Sequence, residues 1–65
     1  MPCDLTVWDP ESKVKTTLVC DEENAGRIVT DEHAAKSTGE YLDTSGKKHT
    51  FDWTRCRLIR FDRRA

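Results

Sequence analysis

The chain has sixty-five residues, 35% of them hydrophobic and 35% charged, which suits one small domain with no room for a second folded unit. Eleven Lys and Arg against twelve Asp and Glu leave a net charge of −1, so a folded chain is expected even though Leu, Ile, Val and Phe number only twelve. No apolar run reaches the ~18 residues of a membrane span, and Met1-Pro2-Cys3-Asp4 lacks the basic start and apolar stretch of a secretion signal, so a cytoplasmic protein without a membrane partner is expected.

Cys3 to Trp8 alternates, with Cys3, Leu5 and Val7 on one parity and Asp4, Thr6 and Trp8 on the other, which predicts a half-buried strand. Asp9-Pro10-Glu11-Ser12 suits a type I turn, because proline presets φ and the Asp side chain can accept a hydrogen bond from the turn's own backbone. Val14 to Cys20 then runs back. With residues 9–12 as the loop, Val7 faces Val14, Leu5 faces Thr16 and Cys3 faces Leu18, so both apolar parities share one face. This register sends Trp8 to the other face beside Lys13 and Lys15.

Asp21 to Gly26 reads as an acidic loop, and Arg27-Ile28-Val29-Thr30 as a short strand. Thr30 to Lys36 has a capping residue, early acids and a late base, the marks of a single helical turn over 31–36, although a polar loop fits nearly as well. A second hairpin joins Gly39–Asp43 to Lys47–Trp53 through Thr44-Ser45-Gly46. Pairing about Ser45-Gly46 sets Asp43 opposite Lys48 and turns Leu42, Phe51 and Trp53 inward, with Tyr41, Lys48 and Thr50 outward. A last strand starts near Arg57 and carries Leu58, Ile59 and Phe61, with fraying expected over residues 63–65.

Five short strands at this spacing predict a mainly β fold, an antiparallel meander over residues 1–62 that closes as a small barrel of the SH3-like kind. So thin a core can be supplemented by a second copy of the chain, so a homodimer is one expected state.

Charge is segregated. Residues 1–40 hold nine acids and four bases, whereas residues 41–65 hold three acids and seven bases. The arginines at 55, 57, 60, 63 and 64 either attract phosphate or an acidic protein surface, or pair with the domain's own acids. Cys3, Cys20 and Cys56 include no close pair and are expected as reduced, buried thiols, with no metal or other cofactor. In the register above Cys3 and Cys20 lie diagonally, too far apart for an easy bridge. His33 and His49 are the only imidazoles, and no local pattern supports a Cys56 and His49 nucleophile–base pair, so no catalytic residue and no enzyme is expected.

Trp8 flanked by lysines either stacks on a partner or lies over a lysine of its own chain. The expected function is a non-enzymatic protein-interaction module, a small accessory or inhibitor protein docking on a larger protein. Its contacts are expected among Trp8, Lys13, Lys15, Tyr41, Lys48, Arg55, Arg57 and Arg60, with an acidic surface of Asp21, Glu22, Glu23, Asp31 and Glu32 able to imitate a nucleic acid. The alternative is a nucleic-acid-binding barrel that uses the exposed aromatics and the C-terminal arginines. A pI near 6.1 weighs against it.

Overall fold

The computed structural model describes residues 1–64, and Ala65 lies outside the described residues. In chain order it has β1 (Cys3–Asp9), β2 (Val14–Cys20), α1 (Glu22–His33), β3 (Gly39–Leu42), β4 (Lys48–Phe51) and β5 (Arg57–Arg63). The strands form two antiparallel sheets, β2-β1-β5 and β3-β4. The fold is thus mainly β with one helix. The expected five-stranded barrel is not formed: β5 pairs with β1, as closure requires, but α1 takes the place of a direct β2–β3 connection and β5 does not pair with β4, so the strands divide three and two.

The first hairpin keeps the expected parity and shifts its register by two residues. Its loop is Pro10 to Lys13, with Lys13 in the left-handed region at φ 58°, so Asp9 pairs with Val14, Val7 with Thr16 and Leu5 with Leu18. Asp9 Oδ1 accepts the N–H groups of Glu11 (3.0 Å) and Ser12 (3.4 Å), which shapes the reversal. Because the slip is even, Cys3, Leu5, Val7, Leu18 and Cys20 still share the buried face. Val14 stays on that side but is 51% exposed, correcting its place in the core. Cys3 and Cys20 stand directly opposite one another, not diagonally; both are free and buried, as is Cys56.

Residues 21–33 overturn the expected acidic loop, short strand and single helical turn. Asp21 is the helix cap, accepting the Asn24 N–H at 2.8 Å, and Glu22 and Glu23 sit where the first turn's unpaired N–H groups favour negative charge. Ala25 and Ile28, three apart, are fully enclosed, and Asp31 and Glu32 continue the same face half-buried. The β-branched run Ile28-Val29-Thr30 suggests a strand in isolation, but burial of Ile28 against the sheet outweighs that weak preference.

The second hairpin slips by one residue, and an odd slip reverses a face. Asp43 N–H donates to Lys47 O at 3.0 Å, closing a three-residue loop in which Gly46 takes φ 88°. Leu42 therefore pairs with Lys48 and Tyr41 with His49. Tyr41 turns inward, 1% exposed, and Leu42 outward, 52% exposed, the reverse of the expectation. Phe51 and Trp53 are buried as expected.

The inward turn of Tyr41 builds the centre of the core. Its ring lies 6.2 Å from those of Phe51 and Trp53, which are 5.1 Å apart. Trp53 Nε1–H donates to Tyr41 Oη at 2.7 Å, and Tyr41 O–H donates to Asp31 Oδ2 at 2.7 Å. This chain ties Trp53, two residues past β4, to β3 and β3 to α1, leaving neither buried polar atom without a partner.

Candidate functional site

The helix and the second hairpin cover one face of β2-β1-β5, the face bearing Leu5, Val7 and Leu18. The opposite face carries exposed and half-buried side chains. The registers arrange it in rows across the three strands: Lys15, Trp8 and Arg57 in one, Thr17, Thr6 and Arg60 in the next, and Val19, Asp4 and Asp62 in the third. A bulge between Thr6 and Val7 in the β1–β5 pairing takes up Ile59, and this brings Arg57 and Arg60 to the same face as Trp8. Trp8 is half-buried between its two cationic neighbours.

Charges on this face are largely matched. Arg60 Nε lies 2.5 Å from Asp62 Oδ2, and Arg64 Nε donates to Asp4 Oδ2 at 2.8 Å. The Arg57 guanidinium donates to the main-chain oxygens of Cys56 (3.0 Å) and Trp53 (3.4 Å), which holds its head against the turn that precedes β5. A depression of about 270 Å³ lies between Asp4, Thr6, Thr17, Arg60 and Asp62.

Of the expected contact residues, the structure gathers Trp8, Lys15, Arg57 and Arg60 and separates the rest. Tyr41 is enclosed in the core, and burial, then its hydrogen bond to Asp31, pushes its pKa up to about 12. Lys48 belongs to the other sheet, where it lies 3.7 Å from Glu40. Lys13 is in the first loop. Arg55 is held by Asp9 at 3.1 Å and Glu11 at 3.5 Å. The expected acidic surface is largely committed to the fold: Asp21 caps α1, Glu22 lies 3.9 Å from the N-terminal amine, Asp31 accepts from Tyr41, and Glu32 Oε2 accepts the Leu58 N–H at 3.4 Å.

A second depression, of about 400 Å³, lies between α1 and β3, where Arg27 sits 5.4 Å from the Tyr41 ring centre and donates to Glu40 O at 3.2 Å. Its polar groups are turned on one another. His49 Nε2 is 2.8 Å from Asp43 Oδ2, with both side chains largely enclosed. Among the described residues no three His, Cys, Asp or Glu side chains group as metal ligands, and no helix is long and apolar enough to cross a membrane. No family model, curated protein or solved structure matches this chain.

Proposed function

We propose that this chain is a non-enzymatic protein-interaction module, an accessory or inhibitor protein that docks on a larger protein through the open face of β2-β1-β5. The observation that carries this reading is the Lys15–Trp8–Arg57 row: a large aromatic side chain, partly exposed on a rigid central strand and bracketed by two cations. An indole so placed is a good anchor, since it offers much apolar area at little cost in side-chain freedom, and arginine beside it adds directed hydrogen bonds.

The signs on the face favour a protein over a nucleic acid. Arg60 is paired with Asp62 and Arg64 with Asp4, so few cations of these rows are left to meet a phosphate backbone, whereas a protein surface can set an anion against Lys15 or Arg57 and an apolar group against Trp8.

Affinity capture from source-cell lysate tests this, with the wild type, Trp8→Ala and Lys13→Ala as parallel baits and nuclease added throughout. One dominant protein retained by the wild type and Lys13→Ala but lost with Trp8→Ala is the expected result. Recovery indifferent to Trp8 overturns the proposed face. Binding of mixed oligonucleotides that weakens steeply with salt, with a slope reduced by Arg57→Ala, replaces it with the nucleic-acid reading.

A further inference from the structure

The sheet β2-β1-β5 has two outer edges, and they are not equivalent. On β2 the edge is partly closed, since Val19 O accepts the Thr44 N–H at 2.8 Å. On β5 only the start is closed, where Glu32 takes the Leu58 N–H. Past the bulge at Ile59 the strand is regular. Arg64 N–H donates inward to Pro2 O at 3.0 Å, and antiparallel alternation then directs the backbone of Asp62 inward and that of Phe61 and Arg63 outward. Such an edge is a template for another strand.

The side chains along it are self-complementary in one register. If two copies of β5 pair antiparallel about Phe61, each Phe61 faces its counterpart, each Arg60 faces the other copy's Asp62, and Ile59 faces Arg63. Arg60 and Asp62 already attract one another within one strand, so the pairing doubles a charge match that exists. A register centred one residue earlier would set arginine against arginine.

Exposed apolar side chains collect at the same edge. Ile59 is 52% and Phe61 37% exposed on β5, and Val29 is 43% exposed on α1. Val29 lies one turn before Glu32, the residue that reaches β5, so it is on the flank of the helix facing this edge. In-plane pairing sets the two helices side by side above one continuous sheet, where Val29 and Phe61 of both copies can cover one another.

We propose that the outer edge of β5 is a homodimer interface, in which a second copy of the chain pairs antiparallel about Phe61 to give a six-stranded sheet, β2-β1-β5-β5-β1-β2. This is independent of the docking reading above, and its test involves no other protein.

Sedimentation equilibrium on the full chain up to submillimolar concentration is expected to show a species of twice the 7.5 kDa chain mass. Arg60→Glu or Asp62→Arg alone sets like charges opposite each other at two symmetric places and should raise the dimer dissociation constant by about tenfold or more. The double variant, with the charges exchanged, should return it to near the wild-type value. Phe61→Pro removes an outward N–H that the chain's own sheet does not use and should give a folded monomer. A wild type monomeric throughout the range overturns the proposal, as does a dimer that ignores the charge series; that series decides the matter even if the proline variant does not fold.

Discussion

Two glycines show how opposite demands act on the same residue type. Gly39 lies under the Tyr41 side chain: a β-carbon there would sit 2.0 Å from Tyr41 Oη and 2.7 Å from Cζ. The close approach lets the hydroxyl lie between Trp53 and Asp31. Gly26, in the middle of α1, has nothing within 4 Å of where its β-carbon would be. Gly39→Ala is therefore expected to lower unfolding free energy by about 1–3 kcal/mol through overpacking, and Gly26→Ala to raise it by about 0.5–1 kcal/mol through chain entropy. Urea unfolding of the two variants beside the wild type checks both signs. Equal effects would mean that the Tyr41 hydroxyl is not fixed where the core requires it.

At the scale of elements, the second hairpin depends on Asp43. Its Oδ1 accepts from Ser45 Oγ (2.6 Å), Ser45 N–H (2.9 Å) and Lys47 N–H (3.0 Å), while Oδ2 meets His49. The Ser45 hydroxyl first, then His49, holds this carboxyl well below the ordinary 3.8. A depressed folded-state value stabilises the protein above the unfolded value and is lost as pH falls. Unfolding midpoints are accordingly expected to drop below about pH 4. Asp43→Asn should flatten only part of that drop, since Asp9, Asp21 and Asp52 also lie below 3.8. A wild-type profile level from pH 5 to pH 3 would contradict this.

What the sequence disclosed about these elements follows from the same physics. Strand parity was legible in the first hairpin because alternation of Cys3, Leu5 and Val7 survives any even slip, and with it the outward place of Trp8. The single-residue slip in the second hairpin was not, because it rests on Gly46 adopting a positive φ within a three-residue loop rather than on hydrophobic pattern. The helix left a signal, Asp21 followed by Glu22 and Glu23 and then Ala25 and Ile28 three apart, which Gly26 and the β-branched run obscured. Arg57 and Arg60 join Trp8 only through a pairing that spans nearly the whole chain, which no local pattern encodes.

For the whole molecule, that long-range pairing reunites the acidic and basic portions of the chain. Arg55 reaches Asp9 and Glu11, and Arg64 reaches Asp4, so two of the seven bases of residues 41–65 are neutralised by acids of the first hairpin. Of the tail expected to fray, Arg63 ends β5 and Arg64 is bonded to Pro2, while Ala65 lies outside the described residues. The enclosed interior also sets an alkaline limit. Burial, followed by the charges of Asp43 and Asp21, raises the Cys20 thiol from 9.0 to about 11, and Tyr41 rises from 10.0 to about 12. Folded groups that keep protons the unfolded chain has lost stabilise fully below the ordinary values and progressively less above them. Thermal midpoints should thus fall from about pH 9 upward, and Cys20→Ala should move the onset toward pH 10. A midpoint constant to pH 11 would show that neither group is as enclosed as described.

The two tryptophans occupy opposite extremes of this fold: Trp53 has no solvent contact and donates a hydrogen bond, whereas Trp8 stands partly open on the far side of the sheet. Their fluorescence should separate accordingly, with a blue-shifted emission immune to acrylamide from Trp53 and a quenchable one from Trp8. With Trp8→Phe and Trp53→Phe as single-indole chains, one would follow unfolding and the other would report occupancy of the open face, without any attached dye.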